Sequence, residues 1–155
     1  MDIKSLIQQL REPDVRAGIG VWFMPQEYLG EEIKTATQLD IQPLDAREAY
    51  LKQLPPNAKF SGLTRPDGHQ RLLHLLRQLA EEVHHRDCLL VHTLDLLLLG
   101  LEVDEREHFW HGVLGGVPYP RTKLVLTIPE NASELFKYNL FRRYEERIAK
   151  GNIPS

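Results

Sequence analysis

Cys88, His92 and Asp95 fall within one short stretch, CLLVHTLD, and carry groups often used as nucleophile, general base and carboxylate partner. If the stretch is a strand, alternation points Cys88, Leu90 and His92 to one side. Four residues of strand nevertheless put Cys88 and His92 about 13 Å apart, too far for direct activation of the thiol. Cys88 therefore reads as a core cysteine and His92 as a polar residue at a strand end. His92 with Asp95 is the general-base pair that remains to be placed.

Seven histidines raise the question of a metal. His108 and His111 stand at i and i+3 in REHFWH, close enough for two ligands on one helical face, and His84 and His85 precede the apolar run. No second ligand pair follows at a recognised spacing, so they read as helix-surface histidines, with no metal and no cofactor expected. Thr127 and Asn131 follow another apolar run. They are either polar contacts at a sheet's carboxyl edge or, the favoured reading, Asn131 caps the helix ASELFKYNL with Glu134 completing a capping box.

Charge is distributed unevenly. Between Glu27 and Glu48 six acids face two bases, whereas between Lys137 and Lys150 five bases face two acids. Opposed patches permit head-to-tail contact between copies or with a partner. The basic side offers Arg142, Arg143, Arg147 and Lys150, which also suit sequence-independent phosphate contact with nucleic acid. Aromatic residues gather in the second half. The glycine-rich segment FWHGVLGGVPYPR has the composition of a partner-facing surface, with Trp110 as first anchor and Tyr119 and Arg121 beside it.

These groups need a scaffold. At 155 residues the chain has the length of one domain. Its net charge of −3 gives no global attraction to phosphate backbones. The longest nearly uncharged run, 88–101, is too short and too polar to cross a bilayer, and the amphipathic start lacks the apolar core of an export signal. A single cysteine excludes an internal disulfide, so a cytoplasmic setting is expected.

Ile3, Leu6, Ile7 and Leu10 predict a docking helix over 1–13, stopped by Pro13. GIGVWFMP predicts a buried strand, residues 26–39 a helix weakened at Gly30, and DIQPLDA a short edge strand interrupted by Pro43. A short helix over 46–54 precedes a loop. A strong helix follows, N-capped by Asp67, with Leu72, Leu73, Leu75, Leu76, Leu79 and Val83 on its apolar side. Buried strands at 88–94 and in TKLVLTIP flank a helix ended by Gly115 and Gly116; a helix over 132–144 and a strand over 146–149 close the core. Uniformly apolar strands separated by helices predict an α/β three-layer sandwich on a mainly parallel sheet. The core spans 18–149, with 150–155 as a tail.

Three segments carry a family resemblance. CLLVHTLDLLLLG resembles the Walker B strand of AAA-like P-loop ATPases, KLVLTIPEN their sensor 1 strand with its polar tip, and ELFKYNLFRRYEERI the arginine-bearing stretch before their last core strand. More narrowly, LKQLPP followed by CLLVHTLDLLL is similar to the small P-loop subunit of BREX phage-defence systems. The resemblance implies a lidless core with strand order 5-1-4-3-2. It also implies that Arg142 and Arg143 are interface arginines and that His92, Thr93 and Asp95 occupy the Walker B-like acid positions.

The chain departs from that pattern where chemistry would occur. A phosphate cradle needs a glycine-rich turn with lysine and a hydroxyl, but FMPQEYLGEEIK offers one glycine and the acids Glu27, Glu31 and Glu32. Magnesium prefers hard oxygen ligands, and His92 stands where the acid would be. The expectation is a non-enzymatic, pseudo-ATPase scaffold or adaptor in a bacterial multi-protein assembly, contacting protein partners through 109–121 and 137–147. The alternatives are a nucleic-acid-binding adaptor and a divergent ATPase.

Overall fold

The computed structural model describes residues 1–13, 17–53, 68–116, 120–136 and 138–155. Helix α1 (Ile3–Arg11) comes first, its N-terminus capped by Asp2, whose carboxylate accepts from the Ser5 amide at 2.8 Å. Then follow β1 (Ile19–Met24), a 3₁₀ turn (Gln26–Tyr28), α2 (Glu32–Gln38), β2 (Gln42–Asp45) and α3 (Ala46–Gln53). The second half comprises α4 (Gly68–Glu81), β3 (Cys88–His92), α5 (Leu94–Leu98), α6 (Val103–Gly116), β4 (Lys123–Pro129), a 3₁₀ segment (Glu130–Leu135), α7 (Tyr138–Arg143), a 3₁₀ turn (Glu145–Arg147) and β5 (Ile148–Lys150).

The five strands form one entirely parallel sheet in the order β2-β3-β4-β1-β5. Read from the other edge, this is the expected order 5-1-4-3-2. Unrelated chemistries share such arrangements, so the order fixes which strand ends meet and not what they do. Pro43 lies in β2, at the sheet's edge, where a missing N–H is tolerated.

Alternate residues of each inner strand enter two separate cores. Ile19, Val21 and Phe23 of β1, Leu89 and Val91 of β3, and Leu124, Leu126 and Ile128 of β4 face the larger one, under α4, α5 and α6. Trp22, Met24, Cys88, Leu90 and Val125 face the smaller one, against α1 and Ala36 of α2. Burial on both faces explains why these strands are continuous apolar runs. Helix α1 lies so close to β1 that a Cβ on Gly20 would meet Leu6 Cδ1 at 2.8 Å. Any larger residue there would force the Leu6 side chain to move.

Several elements differ from their predicted forms. Residues 26–39 do not make one helix: Gly30 adopts φ +82 and separates the 3₁₀ turn from α2. Helix α4 ends at Glu81, leaving Val83 exposed rather than on the apolar side. The strand predicted over 88–94 stops at His92, and the leucines after it make α5, with Leu94, Leu97 and Leu98 buried. Asn131 does not cap a helix; it sits inside the 3₁₀ segment, which has no side-chain cap and is broken by non-helical angles at Ala132. The predicted N-cap Asp67 lies outside the described residues.

The predicted tail is anchored. Lys150 belongs to β5, the Gly151 carbonyl accepts from Trp22 Nε1 at 3.0 Å, and the Ile153 amide donates to Tyr28 Oη at 2.9 Å. Among the described residues no helix is long and apolar enough to cross a membrane.

Candidate functional site at the carboxyl edge of the sheet

In open parallel sheets ligands bind outside the carboxyl ends of the strands. Here β1, β3 and β4 deliver Met24, His92 and Pro129 to that edge, and a cavity of about 310 Å³ opens there. Its polar walls are Glu32, Thr93, Asp95, Thr127 and Asn131, and its apolar walls include Leu29 and Leu96. Among the described residues no lysine, arginine or histidine contributes to it.

The turn after β1 uses its own amides. Tyr28 N–H donates to the Pro25 carbonyl at 3.1 Å, Leu29 N–H to Gln26 at 3.1 Å, and Glu31 N–H to Tyr28 at 3.0 Å. Gly30 N–H donates to the Glu32 carboxylate at 3.1 Å. An anion cradle works because successive N–H groups point outward, free to wrap the ligand. Four consecutive donors are here satisfied within the turn, one of them by a carboxylate.

Strand β3 ends in an abrupt bend. Thr93 adopts φ +60, a left-handed conformation that is strained for a β-branched residue. Its hydroxyl lies 2.5 Å from Asp45 Oδ1 and 2.6 Å from the His92 carbonyl. Asp45 also accepts from the Glu48 amide at 3.1 Å, so one carboxylate caps α3 and holds the bend. Burial opposes ionisation of Asp45, but the hydrogen bonds from Thr93 and from backbone amides outweigh it and hold its pKa below the ordinary value.

Asp95, in the first turn of α5, shows the opposite shift: burial raises its pKa, its own and the Leu96 amide pull it down, and the nearby Glu32 charge pushes it up. The candidate pairing of His92 with Asp95, weighed against the favoured reading of His92 as a polar strand-end residue, does not appear as one site. Asp95 lines the cavity, whereas His92 is not among its walls and stands in register with Asp45 across the β2–β3 pair. Thr127 is buried, and its hydroxyl donates to the Val91 carbonyl at 3.0 Å. Cys88 is buried and its thiol is pushed up to about 12 by desolvation, which removes the thiolate that nucleophilic chemistry needs.

Two expected interface residues turn inward. Trp110 is 0% exposed; its indole N–H donates to the Leu135 carbonyl at 2.8 Å, and its ring meets Phe136 edge-on at 4.7 Å. The cluster of Phe23, Phe109, Phe136 and Phe141 takes the surface that a partner was expected to meet. Arg147 Nε and Nη2 donate to the Ile19 carbonyl at 2.8 and 2.6 Å, and Nη1 donates to Leu114. Burial lowers the pKa of this guanidinium. It is a tie inside the chain rather than an outward-facing interface arginine.

Arg121, Arg142 and Arg143 remain exposed. Tyr119 lies outside the described residues. Lys150 Nζ sits 4.6 Å from the Phe141 ring centre, and exposed Glu145 and Glu146 dilute the basic patch. His108 lies 5.5 Å, ring to ring, from His69, whose Nδ1 is 3.5 Å from buried Glu105, while His111 faces Glu107 at 3.9 Å. Among the described residues no three histidine, cysteine or acidic side chains converge as metal ligands.

Sequence reasoning placed Thr93 and Asp95 at the right edge but missed Asp45 as the partner of Thr93. The spacing of Asp45 and Glu48 ahead of a helix was its available signal. Compared with family models, with curated proteins and with solved structures, the chain matches none of them.

Proposed function

We propose that this chain is a non-catalytic, P-loop-like scaffold or adaptor subunit of a bacterial multi-protein assembly of the phage-defence kind. One observation carries the reading: the turn after β1 spends the amides of Tyr28, Leu29, Gly30 and Glu31 on itself. Phosphate would have to displace the Glu32 carboxylate from Gly30 and approach Asp95 as well, against like charge in a partly desolvated cleft. The resemblance supplies the assembly; the acidic cleft supports a role in binding rather than turnover.

Calorimetry with ATP and Mg²⁺ tests this directly. The expected result is no binding heat at micromolar to high-micromolar nucleotide. Micromolar binding, or ATP turnover lost in Asp95→Asn, overturns it. Co-purification with the products of neighbouring genes is the positive arm, reduced by Arg142→Glu with Arg143→Glu.

A second reading rests on the exposure of Arg142 and Arg143: an adaptor that contacts nucleic acid through its phosphates. With Arg147 turned inward, the patch retains Arg142, Arg143 and Lys150. A mobility shift at low salt, lost on charge reversal of both arginines, supports that reading, and its absence removes it.

A further inference from the structure

We propose that the carboxyl-edge cleft receives an arginine or lysine side chain presented, between apolar neighbours, by a segment of a partner protein. This names the partner chemistry for the cleft and rests on the scaffold reading above.

The charge balance of the cleft points to a cation. Glu32 and Asp95 both line it, and among the described residues no basic side chain lines it and neither acid has a basic partner. Asp95 loses solvation there and feels Glu32, so a guanidinium or ammonium between them would relieve both effects. Thr93 and Asn131 add polar atoms to the same wall.

The rim points to a polypeptide rather than a free amine. Leu29 and Leu96 line the cavity and are exposed, Ile33 follows Glu32 at 72% exposure, and Leu99 stands one turn beyond Leu96 at 59%. Leu29 and Leu96 thus put exposed apolar surface directly beside the two acids, and Ile33 and Leu99 extend exposed apolar surface along the same two segments. At about 310 Å³ the cavity falls at the lower limit of small-ligand pockets, room for one extended side chain.

A second copy of the chain fits less well. Its exposed Arg142 and Arg143 are followed by Glu145 and Glu146, which would bring like charge toward Glu32 and Asp95.

The test uses ¹⁵N-labelled full chain and two blocked pentapeptides, Gly-Leu-Arg-Leu-Gly and Gly-Leu-Glu-Leu-Gly. The arginine peptide is expected to give saturable shifts at the amides of Leu29, Glu32, Thr93, Asp95 and Leu96, and the glutamate peptide none. Glu32→Gln with Asp95→Asn should weaken the binding roughly tenfold or more, as loss of a close charge pair does. No shift at these amides up to about 10 mM arginine peptide, or equal shifts with both peptides, overturns the proposal. Concentration-dependent shifts of the same amides without peptide, abolished by Arg142→Glu, also overturn it by putting a second copy in the cleft. A parallel titration with ATP and Mg²⁺ separates the two levels. Nucleotide shifts at these amides refute the scaffold reading and this proposal together, whereas silence from both ligands refutes this proposal alone.

Discussion

The two ends of the parallel sheet are built on opposite plans. At the amino end, polar groups are paired by long-range ties: Arg147 holds the Ile19 and Leu114 carbonyls, and Arg11 grips Asp87 through Nε and Nη2 at 2.8–3.2 Å while also donating to the Asp40 carbonyl. Thr122 closes onto Glu82 at 2.7 Å, just before β4 begins. At the carboxyl end, Thr93 is strained, Asp95 and Glu32 face one cavity without a counter-charge among the described residues, and leucines are left exposed. The amino end is satisfied at the expense of reach. The carboxyl end retains unmet electrostatic demand, and a binding site requires just that.

The sharpest way to break this contrast is to cut a tie. Arg147→Met keeps the stem but strands the Ile19 and Leu114 carbonyls, so stability should fall by about 2–4 kcal/mol. Urea unfolding at pH 7 measures it. A loss below about 0.5 kcal/mol would place the guanidinium among solvent-facing arginines after all. Cys88, at the start of β3 on the same end, sharpens the comparison kinetically. With its thiol pushed up to about 12, its reaction with a disulfide reagent at pH 8 should require opening of the fold. Labelling as fast as that of free cysteine would show that this end breathes.

At the other end the first probe is the bend. Thr93→Gly removes the left-handed strain, a gain of about 1 kcal/mol, but also the hydroxyl beside Asp45, a loss of similar size. The net change should be near zero. Thr93→Val keeps the strain and deletes the hydroxyl, so it should cost about 1–2 kcal/mol more than the glycine variant. Equal stability of the two variants would mean that the left-handed backbone at residue 93 stores no strain.

The contrast between ends was only partly legible in the sequence. Apolar runs around Trp22, Leu90 and Val125 predict inner strands because burial on both faces leaves no alternation to misread. The acid cleft was half legible: the resemblance puts Glu32 where a phosphate cradle would be and Asp95 at a Walker B-like position, but their approach depends on the break at Gly30 and on α5. Leucine repetition alone does not separate α5 from a continuing strand, since an unbroken apolar run carries no periodicity to read. Trp110 and Arg147 were misjudged for one reason. Aromatic and basic side chains are enriched at interfaces, but an indole N–H or a guanidinium that finds a buried carbonyl is equally well used inside. Only tertiary placement decides between the two.

The smallest expected effect is also the most specific to the carboxyl end. The folded-state pKa of Asp95 lies above its unfolded value, so folding takes up a proton there. The stabilising contribution is fully present below the unfolded carboxylate range and is lost as pH rises through the folded pKa. At neutral pH Asp95 is ionised in a site that disfavours it, and Asp95→Asn should raise stability. Because the cleft is open to solvent, the gain should stay under about 1 kcal/mol, and it should shrink or reverse as pH falls below about 4. Thermal melts of both proteins across pH 3–8 give the difference curve. A flat curve would mean that solvent already screens Asp95, and a decrease on substitution at pH 7 would mean that the carboxylate has a partner inside the chain. Either outcome would close the gap between the two ends.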